Sequence, residues 1–136
     1  MLKKIGILIF ILFILCIPVT AFAKPSQIEV FDIEKGEVTK KVEMNPSIQA
    51  EVEMFLENIN EAYHKFDPIP KEGKLIRVPL QPSVTVENEW VHTLIDEVII
   101  ISPKSGEPHL MLFDDENNIH FFNFKYEGES FWKKIK

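Results

Sequence analysis

Glu57, Glu61 and His64 follow one another at spacings of four and three residues, the most chemically suggestive grouping of side chains in this sequence. On a helix these positions share a face, and Glu61 to His64 has the Glu-x-x-His spacing of carboxylate-bridged metal sites. Such a centre needs a second Glu-x-x-His segment on a facing helix. One match on one helix reads instead as a solvated acidic face. The second acidic group, Asp114-Asp115-Glu116-Asn117-Asn118, lacks the glycine and the closing glutamate of a calcium-binding loop. Asp and Asn between two apolar runs are turn chemistry. The histidines at 64, 92, 109 and 120 show no His-x-His or His-x-x-x-His pattern. A turn centred on Glu116-Asn117 sets Phe113 opposite His120 and His109 opposite Phe124. Both histidines then lie on one side of the sheet, about 13 Å apart at a rise of ~3.3 Å per residue, too far to share a metal.

Covalent chemistry is equally short of parts. The sole cysteine is Cys16, no Gly-x-Ser-x-Gly elbow occurs, and the serines fall at expected caps, turns and termini. The five glycines form no phosphate-binding loop, so no nucleotide, metal or other cofactor is expected. A triad or an acid pair assembled only in space is compatible with a chain holding 21 acidic residues, which keeps a small hydrolase as an alternative. An excess of acids, with net charge −6, gives no electrostatic footing on phosphate backbones and argues against a nucleic-acid partner.

Binding residues are easier to name. The last apolar runs, Leu110 to Phe113 and Phe121 to Phe124, are apolar on both faces of a hairpin. A single long helix covers one face, so Phe113, Phe121, Phe122 and Phe124 are candidates for a partly exposed aromatic binding surface, the alternative being a closed two-layer core. Trp90 is a candidate anchor, or a core residue under the helix. Phe66-Asp67-Pro68-Ile69-Pro70-Lys71-Glu72-Gly73 is a prestiffened loop able to present Ile69, Pro70 and Lys71 to a protease or receptor, or simply to connect helix and sheet.

The elements that must hold these residues follow from periodicity. Two short alternating runs, 27–33 and 38–44, flank Glu34-Lys35-Gly36-Glu37 and read as a β-hairpin. Asn45-Pro46 supplies an N-cap acceptor and a donor-free first residue, and Ile48, Val52, Phe55, Leu56, Ile59, Ala62 and Tyr63 form one helical stripe beyond it. Asp67-Pro68-Ile69-Pro70 ends that helix. Lys74 to Leu80 alternates, but Pro79 and Pro82 predict an edge strand or an early stop, with Val84 to Val86 as a continuation. Trp90 to Ile95 leans to strand. Glu97 to Ile101 reads as a strand buried on both faces, because Val98-Ile99-Ile100-Ile101 is β-branched throughout. A short helix opened by a Ser130 cap closes the chain. The order β-β-α-β-β-β-β predicts an α+β fold, an antiparallel sheet of about five to six strands packed by one main helix.

Ahead of these elements, Lys3-Lys4, the apolar run Ile5 to Ile17, Pro18 and Ala21-Phe22-Ala23 form the pattern of a secretory signal peptide cleaved after Ala23. Its 13 apolar residues span about 20 Å as a helix at ~1.5 Å per residue. A bilayer core is roughly 30 Å, so an uncleaved N-terminal membrane anchor is the secondary reading. Phe13-Ile14-Leu15 do not suit a lipidation site at Cys16. Cleavage leaves a single α+β domain over 24–136 with no cysteine, no membrane segment and a more negative net charge.

Ile28-Glu29-Val30-Phe31-Asp32 through Asn45-Pro46, the Phe66 to Pro70 loop, Val78 to Val84 and Asp96 to Ile101 together resemble small exported proteins of Gram-positive bacilli, a group with no assigned activity. The resemblance implies export and carries over no catalytic or binding residue. The Leu110 to Phe124 hairpin and the strand-helix-strand order are similar, more faintly, to small extracytoplasmic inhibitor and binding modules. The resulting expectation is a secreted α+β module, monomeric or weakly associating, that binds a protein or an envelope component. The alternatives are a protease or hydrolase inhibitor using the proline loop, and a small hydrolase.

Overall fold

A computed structural model describes residues 26–136. The expected signal peptide, its cleavage point and Cys16 lie outside these residues. Among the described residues no helix is long and apolar enough to cross a membrane.

The elements are β1 (Gln27–Asp32), β2 (Glu37–Glu43), α1 (Pro46–Glu57), β3 (Ile59–Ala62), β4 (Gly73–Glu87), β5 (His92–Pro103), β6 (His109–Phe113), β7 (Ile119–Phe124) and α2 (Glu129–Ile135). The strands form one antiparallel sheet in the order β2-β1-β4-β5-β6-β7-β3, an α+β architecture with one main and one short helix. There are seven strands rather than five or six.

The added strand is β3, and it replaces the expected last turns of α1. Asn58 closes the helix by donating its backbone N–H and its Nδ2 to the Met54 carbonyl, and its own carbonyl accepts from Lys125 N. The chain then runs along β7, pairing Ile59 with Phe124 and Ala62 with Phe122. A short bulged strand thereby covers an edge that would otherwise stay open. At its start α1 follows the sequence reading: Asn45 accepts from Ile48 N at 2.9 Å and Pro46 opens the first turn.

β4 departs from expectation only in its length. It continues through Pro79 and Pro82 to Glu87, and because β1 pairs with it only over Lys74–Arg77, both prolines lie at an edge where β5 is the sole neighbour, at an irregularity between Pro79 and Val84. The buried Gln49 of α1 occupies that irregularity: its Oε1 accepts from Gln81 N at 2.8 Å and its Nε2 donates to the Pro82 carbonyl at 2.8 Å. A helix side chain thus satisfies strand groups that the ladder leaves unpaired.

Ile28, Val30, Ile76, Val78, Val98, Ile100, Leu110, Leu112 and Phe122 line the inner face of the sheet. Ile99 and Ile101, in the strand expected to be buried on both faces, point to the other face, where Ile101 is fully buried and Ile99 partly so. Ile48, Val52 and Phe55 of α1 and Phe131 and Ile135 of α2 pack on the inner face. Phe55 is the hub, with ring centroids 4.9 Å from Phe124 and 5.2 Å from Phe131. The expected Ser130 cap is absent. Gly128 precedes α2 in the left-handed region at φ 61°, and a Cβ there would lie 2.5 Å from Phe55 Cε1, so the ring requires glycine. Lys40 of β2 donates to the Lys134 and Lys136 carbonyls, joining the outermost strand to the end of α2.

Candidate functional site

Alternation along each strand sends the neighbours of the core residues to the outer face. Cross-strand pairing aligns Val38, Phe31, Leu75, Ile101 and His109 in one row, and Lys41, Glu29, Arg77, Ile99, Met111 and Phe121 in the next. The second row is charged at one end and apolar at the other. Arg77 pairs with Glu97 at 2.8 Å and with Glu29 at 3.8 Å, which satisfies the charged end. At the apolar end Ile99, Met111 and Phe121 are half-buried, Phe113 is 36% exposed and Ile119 beside it 53% exposed.

Neither helix covers this outer face. What covers part of it is the 63–72 connection, which folds over His109. His109 is only 2% exposed, stacks on Tyr63 with centroids 4.3 Å apart and bonds the Pro68 carbonyl through Nε2. A carbonyl can only accept, so Nε2 carries a proton. The Tyr63 hydroxyl donates to the Asp67 carbonyl at 3.3 Å, and Lys104 N to the Glu72 carbonyl at 3.1 Å. Pinned in this way, the loop holds Phe66, Ile69 and Lys71 exposed while Pro70 stays half-buried.

Of the candidate surface residues, the structure brings Phe113 and Phe121 together on the outer face. Phe122 is a core residue, and Phe124 packs half-buried against the same core. Trp90 is exposed, but it leans on Phe122 at 5.7 Å from the inner side, across the sheet from Phe113. Ile99, Met111 and Ile119 complete the outer patch, and the expected hairpin register concealed them. Observed pairing sets Phe113 opposite Ile119 and Leu112 opposite His120, one residue from expectation. A one-residue slip exchanges faces, so His109 and His120 lie on opposite sides of the sheet rather than together.

The turn itself is ordered as turn chemistry requires. Asp114 Oδ1 accepts from Glu116 N and Asn118 N, and Asp114 Oδ2 meets His120 Nε2 at 2.9 Å. The His120 contact, aided by the Asn118 N–H, holds the Asp114 carboxyl down at about 2 against an ordinary 3.8. A cleft of about 250 Å³ beside this pair is lined by Thr93, whose buried hydroxyl has no hydrogen-bond partner. Thr93 makes no hydrogen bond to His120. Glu61 sits in β3 and His64 in the following loop, so they share no helix face with Glu57. Among the described residues no group of three or more metal-ligating side chains occurs.

Two cavities of about twice that volume lie elsewhere. A groove of about 550 Å³ between the start of α1 and the β4 irregularity is walled by Met44, Pro46, Pro79 and Pro82. Its buried polar group, Gln49, is already engaged through its carbonyl and its amide nitrogen, leaving little to orient a ligand. A more polar cleft of about 530 Å³ opens between β3, β7, the 63–72 loop and the 103–107 turn, with His109 on its wall. The chain matches no protein-family model, no curated protein and no solved structure.

Proposed function

We propose that the protein is exported and acts as a non-enzymatic binding module at or outside the cell envelope, with the outer sheet face as its contact surface. The observation that carries this reading is the pairing of Phe113 and Ile119, both exposed, at the edge of a row of half-buried Ile99, Met111 and Phe121. Apolar side chains clustered on an uncovered sheet face form the kind of patch that partners bury. The signal-peptide pattern over residues 1–23 supports export. A second reading, inhibition of a protease or hydrolase, is favoured by the pinned 63–72 loop, whose exposed Ile69 and Lys71 lose little freedom on docking.

Retention of the full chain on isolated envelope fractions tests the first reading. Phe113→Asp combined with Ile119→Asp is expected to abolish retention with an unchanged circular dichroism spectrum. Undiminished retention overturns the outer-face assignment, and loss of retention on Lys71→Ala alone moves the contact to the loop.

A further inference from the structure

We propose that the cleft between β3, β7 and the 63–72 loop is a binding site for a neutral oligosaccharide, independent of the outer-face patch. Its volume of about 530 Å³ lies within the range of small-molecule sites, roughly 300–1,000 Å³. The decisive property is the balance of its polar groups. Glu61, Asp67 and Glu107 bring carboxylates to the cleft, and Lys65 and Lys125 bring ammonium groups. An anionic ligand meets the first set and a cationic ligand the second. A polyol meets neither as a like charge, because each hydroxyl both donates and accepts and pairs with carboxylate, ammonium and amide alike.

The groups are also held in place before any ligand arrives. Asn123 Nδ2 donates to Glu61 Oε1 at 2.7 Å, which fixes the amide and the carboxylate of two adjacent strands relative to each other. The Tyr63 ring is stacked on His109, and its hydroxyl is tied to the Asp67 carbonyl. The imidazole on the cleft wall is fixed in orientation by its Nε2–H bond to the Pro68 carbonyl and by its stack on Tyr63. The Tyr63 ring adds apolar surface for the C–H face of a sugar ring. Sites that bind without rearrangement lose less entropy, and this one is built from strand residues and a pinned loop.

The test titrates the intact protein with cellobiose, maltose and N,N′-diacetylchitobiose, with glucuronate and glucosamine as charged comparators, followed by ¹H–¹⁵N NMR. At least one neutral disaccharide is expected to produce saturable shifts at the amides of Glu61, Asn123 and Lys125, and to bind more tightly than either comparator. Asn123→Ala is expected to weaken that binding at least about tenfold, the effect of losing roughly one good hydrogen bond. Lys125→Ala, at an exposed position, provides a second variant should Asn123→Ala fail to fold. Phe113→Asp is expected to leave disaccharide binding unchanged, so the outer-face reading can fail while this one stands. The absence of saturation by all three neutral sugars overturns the proposal. So do saturating shifts confined to β6 and the outer face of β7, or equal affinity for a charged comparator.

Discussion

The inner and outer faces of the sheet are built from the same strands and differ in what lies over them. On the inner face Phe55 touches four aromatic neighbours, Phe124, Tyr126, Phe131 and Trp132, and both helices contribute to one core. On the outer face an ion-paired Arg77 shares a row with Ile99, Met111 and Phe121, and among the described residues the loop over His109 provides the cover. Apolar composition alone does not distinguish the two. The difference is whether a second layer exists, so inner residues should govern stability and outer residues should govern contact.

The sharpest way to break that division is Phe55→Ala, which empties the hub of the core and should cost about 3–5 kcal/mol. A urea midpoint close to wild type would show that the helices contribute little to the fold. Gln49→Ala comes next, at about 1–3 kcal/mol, because it strands the Gln81 N–H and the Pro82 carbonyl at the β4 irregularity. Chemical denaturation measures it, and a neutral result would mean that water replaces the amide. Phe113→Ser should change stability by no more than about 0.5 kcal/mol while weakening envelope retention. A large loss of stability would instead make the outer face a structural one.

The smallest effect concerns the rim of the inner face, where Asp114 meets His120. Its folded carboxyl titrates at about 2, below the ordinary 3.8, so its contribution is fully present above about 4 and is lost as the pH falls through about 2. Wild type should therefore exceed Asp114→Asn in denaturation midpoint at neutral pH, with the gap narrowing across that window. A gap independent of pH would assign the role of Asp114 to shape rather than charge.

The sequence was legible wherever a local rule operated alone. Asn45-Pro46 announced the helix, the Gly36 connection announced the first hairpin, and the acidic run at 114–118 announced a turn. It was not legible where one pattern served two elements. Ile59, Ala62 and Tyr63 continue the helical stripe and equally suit a strand, and no glycine or proline separates them from Glu57; the open edge of β7 decided the matter. Pro79 and Pro82 read as an edge and lie at one, beyond the β1 ladder, but the side chain that satisfies their neighbourhood, Gln49, comes from about 30 residues earlier and looks like one more polar helix position. The hairpin register turned on Asn117, which adopts a φ of 63° and shifts the turn by half a residue step. The cleft around His109 gave no sequence signal, since its members lie on β3, two loops, β6 and β7 and carry no spacing pattern.

β1, the first strand of the described chain, lies between β2 and β4 rather than at a border of the sheet. That placement determines how the fold would respond to mechanical load. Tension applied through the chain ahead of Ser26 pulls β1 along its own axis against both antiparallel neighbours, so the ladders to β2 and β4 resist together in shear. A strand at the border, pulled the same way, would be held by one ladder instead of two. A protein held at a surface by its N-terminal side and pulled by a bound partner would for this reason transmit force through the middle of its sheet, with the β2 edge and its Lys40 link to α2 carrying part of the strain.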